Sequence, residues 1–256
     1  MEAINPSLQS YTNPNVAPIS DEITEAIEQS PLAPSQFLQI EEADKLVKPG
    51  YMAIENGYAL QADGSYTVSV LTDMPDVTPA MWHWWFGWHG DSSEKYKLWH
   101  PPAHVSAVWE DGKVGEVAYI GRNSHIQEYI GPPKESASIQ FKSPTLLGLP
   151  EFDPVSSNAV YIVARIGLRP IPINFGWLIH QVRTTATGSE MRSRFWLGGE
   201  HIAGRNRFSQ LLVPIVRRVR KIPEAQVIDL TTHCAEEMAH LATFLPDIYQ
   251  ELGAQG

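Results

Sequence analysis

The alternation of apolar and polar positions changes character along the chain. The opening MEAINPSLQSYTNPNVAPIS shows no period and is rich in Pro, Asn and Ser, the composition of an arm that orders only by packing on something else. Two short amphipathic helices are predicted next, in DEITEAIEQS and PSQFLQIEEADKLV, ended by Pro49 and Gly50. YMAIENGYAL, turning at Asn56 and Gly57, and SYTVSVLTDM then read as strands. Thr78 followed by Pro79 marks a helix start before WHWWFGWHG.

Further on, HVSAVWED, VGEVAYIG, ESASIQF, AVYIVARIGL, FGWLIHQVRTT and EMRSRFWLG are strand candidates. Several of them alternate as expected for an antiparallel sheet with one covered face. A last helical region is predicted from about Pro223 to Leu252, with a kink at Pro246. There Leu230, His233, Glu237, Leu241, Phe244 and Ile248 recur at helical spacing. The pattern predicts an α+β protein in which a curved antiparallel sheet closes over a long C-terminal helix, with a cavity between them. Residues 1–76 are expected to form an arm and a small N-terminal domain, and 77–256 the main domain.

The 256 residues are enough for one large domain with a full core. With 19 Lys and Arg against 29 Asp and Glu, the formal net charge is -10, which disfavours nucleic acid and anionic lipid as partners. A single cysteine, Cys234, rules out an internal disulfide and fits a cytoplasmic location. No stretch resembles a targeting signal or a transmembrane span, so a soluble protein is expected.

The stretch HCAEEMAH introduces ligand-type side chains. His233 and Glu237 are four residues apart, so on a helix they point to one spot, and both are ligand types for zinc. Glu237 stands where the inverted zinc-protease pattern H-x-x-E-H needs its second His, so a protease fails at a ligand. The predicted stripe turns both residues inward, where a carboxylate must be paired, hydrogen-bonded or metal-bound. Glu236 and His240 fall toward solvent.

Three other segments combine His or Glu with dense aromatics: WHWWFGWHGDSSEKYKLWHPPAHVSAVW, YIGRNSHIQEYIG and WLIHQVRTTATGSEMRSRFWLG. Together, WHWWFGWHG, YKLWHPPAH, QEYIG, MRSRFWLG and HCAEEMAHLATFLP resemble the 2,4-diacetylphloroglucinol hydrolase family, which includes phloretin hydrolase. The resemblance covers about Met81 to Pro246. It implies a Bet v 1-like helix-grip fold with a small N-terminal domain used in homodimerisation. It also implies hydrolysis of a carbon–carbon bond between a phenolic ring and an acyl group, with zinc (Zn2+) as cofactor. Carried onto this chain, the zinc ligands are His104, Glu128, His233 and Glu237, and the substrate-contacting groups are Tyr96 and His180. Two positions depart from the family pattern: Phe195 replaces a Tyr and Ala107 replaces an Asn. Both losses remove polar groups, so a less hydroxylated aromatic or β-diketone substrate is expected. His83, His89 and His100 are read as core or supporting residues.

The implied chemistry is physically coherent. An acyl group leaves a phenolic ring with its electrons on carbon, and the keto tautomer of the ring turns that leaving group into an enolate. Cleavage then requires activated water, polarisation of the acyl oxygen and proton donors. A non-catalytic carrier of hydrophobic ligands, or a metal-dependent cyclase or lyase, could use the same architecture.

Overall fold

The computed structural model describes residues 6–115 and 118–253. Ahead of the sheet lie a short helix α1 (Pro6–Gln9) and helix α2 (Asp21–Gln29). The strands are β1 (Gly57–Leu60), β2 (Tyr66–Pro75), β3 (His104–Trp109), β4 (Asn123–Tyr129), β5 (Lys134–Lys142), β6 (Ala159–Leu168), β7 (Ile173–Thr185), β8 (Gly188–Leu197) and the short β9 (Ala203–Gly204). Helices α3 (Pro79–Trp88) and α4 (Ser93–Trp99) lie between β2 and β3. After β9 come α5 (Arg207–Val219), α6 (Glu224–Ala242) and α7 (Leu245–Ile248).

Among the described residues one nine-stranded sheet runs in the order β1-β2-β8-β7-β6-β5-β4-β3, with β9 added beside β7. Every pairing is antiparallel. The α+β class, the curved sheet and the long C-terminal helix expected from the pattern are all present. The predicted strand VGEVAYIG is not: its described residues form loop, and 116–117 lie outside the described residues. The strand that enters the sheet instead is β4, in NSHIQEY. Residues 1–5 of the predicted arm also lie outside the description, whereas Leu8 is buried and the Tyr11 hydroxyl donates to Glu251 at 2.6 Å.

The sheet is covered on both faces, not one. On the inner face, Leu178, His180 and Val182 of β7 and Phe195 and Leu197 of β8 face α6 and the aromatic helices. The alternate residues Ile179 and Trp196 point to the back, where they pack with Leu38, Ile40, Ala43 and Leu46. This covering segment is 3-10 rather than α-helical over Ile40–Val47. Its buried positions Ile40, Ala43 and Leu46 recur every three residues, the repeat that a 3-10 turn stacks along one edge. β1 and β2, from the first 76 residues, pair into the same sheet, β2 along ten residues of β8.

The back face also holds a charged junction. Arg192 and Arg194 on β8 are fully buried and both engage Glu55, with Arg192 Nη2 at 2.6 Å. Burial opposes the Glu55 carboxylate, but the Arg192 hydrogen bond and the charges of Arg194 and Arg192 outweigh it and hold its pKa below the ordinary value. Glu55→Gln should therefore cost about 3–5 kcal/mol at pH 7, because the arginines stay charged and lose their partner. The depressed pKa makes this contribution complete above the unfolded carboxylate pKa and lost as pH falls through the folded one. Urea unfolding of both proteins should show the difference at pH 7 and its shrinkage below about pH 4.5.

Candidate metal centre

The centre is built from two strands and one helix. β3 and β4 pair with His104 directly opposite Glu128, which puts both side chains on one face. A bulge between His104 and Ser106 shifts the alternation, so His104, Ala107 and Trp109 all point inward. On α6 the deeply buried stripe is Val227, Thr231, Cys234, Met238 and Leu241, while Leu230, His233 and Glu237 flank it and face a cavity. His240 is an exception to the expectation of solvent: it is 1% exposed, packed with its ring centroid 5.7 Å from that of Phe244.

His104 Nε2 is 3.4 Å from Glu237 Oε2 and 3.7 Å from Glu128 Oε2. His233 Nε2 is 3.7 Å from Glu237 Oε2 and 3.9 Å from Glu128 Oε2. One ligand atom from each of His104, Glu128 and His233 falls within 4.8 Å of the others. Ligands about 2.0–2.1 Å from a tetrahedral zinc stand roughly 3.3–3.4 Å apart, so the His–Glu pairs at 3.4–3.9 Å are already near that spacing, while the triad as a whole, spread over as much as 4.8 Å, has to close further.

The electrostatics point the same way. Burial, then the charge of Glu128, pushes the Glu237 carboxyl well above the ordinary range, and burial pushes Glu128 up to about 7. Burial drives His233 down to about 3, and burial together with His233 holds His104 well below its ordinary value. Both Nε2 atoms are buried without a hydrogen-bond partner among the described residues. Neutral imidazoles with free lone pairs beside two enclosed carboxylates are the donor set that a divalent cation satisfies. The residues fit a metal.

Other side chains fix the ligands. His104 Nδ1 lies 3.0 Å from the Tyr96 carbonyl, which directs Nε2 into the centre. The Tyr96 ring stacks on His104 at 3.9 Å, and its hydroxyl donates to Glu128 Oε2 at 2.5 Å. Tyr96 thus reaches a proposed ligand as well as the cavity. Two further groups support the site: His100, read from sequence as a supporting residue, and Ser193, which was not singled out. The His100 ring lies 4.7 Å from His233, with Nε2 3.1 Å from Glu236 Oε2. Ser193 Oγ lies 2.8 Å from Nδ1 of His180. A residue on the strand beside a candidate His was the available signal for Ser193, but pairing partners are invisible before the sheet order is known. His83 meets the Tyr119 hydroxyl at 3.1 Å, and His89 meets the Trp85 carbonyl at 2.7 Å.

The cavity, about 190 Å³, runs from this centre to the opposite wall. That wall carries Ile166, Leu168, Leu178, Phe195, Leu197 and His180. Burial pushes His180 down to about 3, so it is a neutral imidazole at pH 7. Ala107 does not line the cavity; it is fully buried beneath α4, its N–H donating to Ser93 Oγ at 3.3 Å.

Fold and centre together define a helix-grip α+β protein with two His and two Glu enclosed at one end of an apolar cavity. Residues 37–250 match the family described as the DAPG hydrolase PhiG domain, and the chain belongs to that family. It is 28% identical to the 2,4-diacetylphloroglucinol hydrolase of Pseudomonas protegens over 244 residues, 89% of this chain and 78% of that protein. It is also 28% identical to the phloretin hydrolase of Eubacterium ramulus over 254 residues, 96% of this chain and 90% of that one. Among solved structures, Ara h 8.0201 aligns with a TM-score of 0.46 and 11% identity, over 71% of this chain and 98% of that one. Among the described residues no helix is long and apolar enough to cross a membrane.

Ser193→Ala should leave His180 Nδ1 buried without its partner and cost roughly 1–3 kcal/mol. Denaturant unfolding should read that loss with the far-ultraviolet circular dichroism of the folded protein unchanged.

Proposed function

We propose that this chain is a zinc-dependent hydrolase that cleaves the carbon–carbon bond between an acyl group and a phenolic ring or another stabilised carbanion. The observation that carries this is the set of His104, Glu128, His233 and Glu237, with His–Glu separations of 3.4–3.9 Å, at the end of a largely apolar cavity. Membership of a family whose named relatives hydrolyse 2,4-diacetylphloroglucinol and phloretin supports the reaction class. The enclosed carboxylates weigh against a passive carrier, for which they would be a cost without a use.

Zinc in this centre supplies Lewis acidity toward a carbonyl oxygen and toward water. The chain's own residues supply orientation and proton handling. Tyr96 holds Glu128 through its hydroxyl, and its backbone carbonyl holds the His104 ring. Burial, with the charge of Glu128, raises the Tyr96 pKa, so the phenol stays protonated and remains a donor. Neutral His180, steadied by Ser193, is suited to hydrogen-bond a ring oxygen across the cavity rather than to carry a resting positive charge. Phe86 and Phe195 flank its ring, with centroids 6.1 and 5.7 Å away, and keep water from it.

Purified protein should carry about one zinc per chain. His233→Ala and Glu237→Ala should lower metal content, metal-dependent thermal stabilisation and cleavage together; full activity in metal-stripped protein would sink the proposal. Tyr96→Phe should weaken metal affinity by roughly 10–100-fold, as loss of a group that holds a ligand does. In oxygen-18 water, hydrolysis places one solvent oxygen in the acid product, whereas a cyclase or lyase places none there.

The substrate follows from the apolar wall. A buried ring hydroxyl left unpartnered costs roughly 1–3 kcal/mol, so 2,4-diacetylphloroglucinol should be a poorer substrate than a less hydroxylated acyl ketone of similar size. Phe195→Tyr should shift kcat/KM toward the phloroglucinol without changing zinc content. An unchanged ratio would show that position 195 does not read the ring.

A further inference from the structure

Helix α5 docks on the body through one side, where Val213 and Val216 pack with Ile173, Ile202 and Phe175, and Arg217 donates to the Glu200 and Ile202 carbonyls. A second side is apolar too and is turned away from the body. There Phe208, Leu211, Leu212, Ile215 and Val219 recur at i, i+3, i+4, i+7 and i+11, a stripe about 100° wide. These five side chains are exposed, from 50% for Leu212 to 83% for Phe208. A further exposed apolar residue, Ile171, lies in the β6–β7 turn, which is tied to the start of α5 by the Arg205 N–H donating to the Pro172 carbonyl at 2.9 Å.

The charge around the stripe identifies what covers it. Between Gly204 and Pro223 the sequence holds six basic residues and no acid. By helical phase Arg207 and Arg218 lie along one edge of the stripe. No polar side chain interrupts the stripe, so it offers none of the hydrogen bonds or ion pairs that a folded protein partner carries across an interface. A cationic edge along an unbroken apolar face is the pattern of a helix lying in a membrane interface, its apolar face among the acyl chains and its arginines at the depth of the phosphates. The net charge of -10 disfavours an anionic surface for the chain as a whole. At physiological salt, however, that field is screened within about 8 Å, so what a bilayer senses is the docking face and its cations.

We infer that the outer face of α5 docks this protein on an anionic lipid bilayer. Directly after α5 come Arg220, which is exposed, and Ile222, and both line the cavity. Ile130, Leu168 and Phe175, from the β4–β5 and β6–β7 end of the sheet, line it as well. The cavity thus reaches the surface where α5 ends, and docking turns that mouth toward the bilayer. An apolar acyl–aryl substrate concentrates among lipids; that consequence rests on the proposed function, whereas the docking itself does not.

Sedimentation of the full chain with phosphatidylglycerol and with phosphatidylcholine vesicles tests this without reference to catalysis. The native protein should bind phosphatidylglycerol vesicles, bind phosphatidylcholine less, and leave the former as NaCl rises from about 0.05 to about 0.5 M. Leu211→Glu/Ile215→Glu should bind roughly 100-fold more weakly or worse, since each substitution withdraws an apolar side chain from the acyl region and adds a like charge. Arg207→Gln/Arg218→Gln should bind phosphatidylglycerol roughly 20–30-fold more weakly, about a factor of five for each cation near an anionic surface, with binding to phosphatidylcholine unchanged. All four positions are exposed, so unchanged thermal melts check that both variants fold. Light scattering should give the three proteins one mass. A native protein that ignores phosphatidylglycerol vesicles, or binding that the Glu pair leaves intact, overturns the assignment. So does a mass that falls in the Glu pair, since the stripe is then covered by another protein chain.

Discussion

Two carboxylates enclosed in an apolar cavity set the terms for the rest of this molecule. Glu128 and Glu237 each lose hydration on folding, and the charge of Glu128 further opposes ionisation of Glu237. The compensation has to come from fixed geometry, because a mobile carboxylate would relax toward solvent. The β3–β4 register supplies half of it by placing His104 opposite Glu128, and one helical turn of α6 supplies the other half in His233 and Glu237. Helix α4 packs against both β3 and α6 and brings Tyr96 to the point where the halves meet. Beneath it Trp82, Trp85, Phe86 and Trp99 interlock at centroid distances of 5.6–6.2 Å. Gly90 is part of that packing: a Cβ there would stand 2.5 Å from the Trp109 ring. The aromatic density visible in the sequence is thus the rigid support of a polar site, not a surface for stacking on a partner.

The same constraint explains why the N-terminal segment is bound to the back of the sheet. On β7 and β8, residues that wall the cavity alternate with residues that face Leu38, Ile40 and Leu46. A slip of one residue would carry His180 and Phe195 to the back and bring Ile179 and Arg194 into the cavity. Packing on both faces makes that slip doubly unfavourable. The Trp196 indole donating to the Leu38 carbonyl at 2.9 Å, and Glu55 between Arg192 and Arg194, pin the register from behind.

Periodicity made much of this legible, and its failures have physical causes. β2, β6, β7 and β8 are long, strongly patterned strands that the sequence places within a few residues of their observed limits, whereas the C-terminal helix starts where predicted but stops at Ala242 instead of running on through Pro246. β4 was missed because NSHIQEY has one β-branched residue and carries polar side chains on both faces; it is held by two neighbouring strands rather than by propensity. α5 was missed because its two apolar faces and internal Pro214 blur a helical period. His233 and Glu237 could be paired by spacing alone, since four residues on a helix determine proximity. His104 and Glu128 could not, because their meeting depends on a strand pairing across 24 positions, and motif resemblance was what joined them. His240 was misplaced because helical phase along α6 does not show which elements pack against the side of the helix that carries it.

The wall opposite the centre limits what the cavity can recognise. Along β6 to β8 its cavity-facing residues are Ile166, Leu168, Phe175, Leu178, Phe195, Leu197 and His180, so among the described residues of those strands the imidazole is the polar group on that wall. With Nδ1 committed to Ser193, its remaining nitrogen can meet one oxygen of a bound molecule. Elsewhere on this wall a polar atom would lie against Phe, Leu or Ile, while Tyr96, Ser124, Glu135, Arg220 and Gln226 line the cavity from other elements. Shape alone would admit a further hydroxyl, since it adds little volume. What this wall opposes in a bound molecule is therefore an unmet hydrogen bond more than added volume, a penalty of roughly 1–3 kcal/mol for each buried polar group left without a partner.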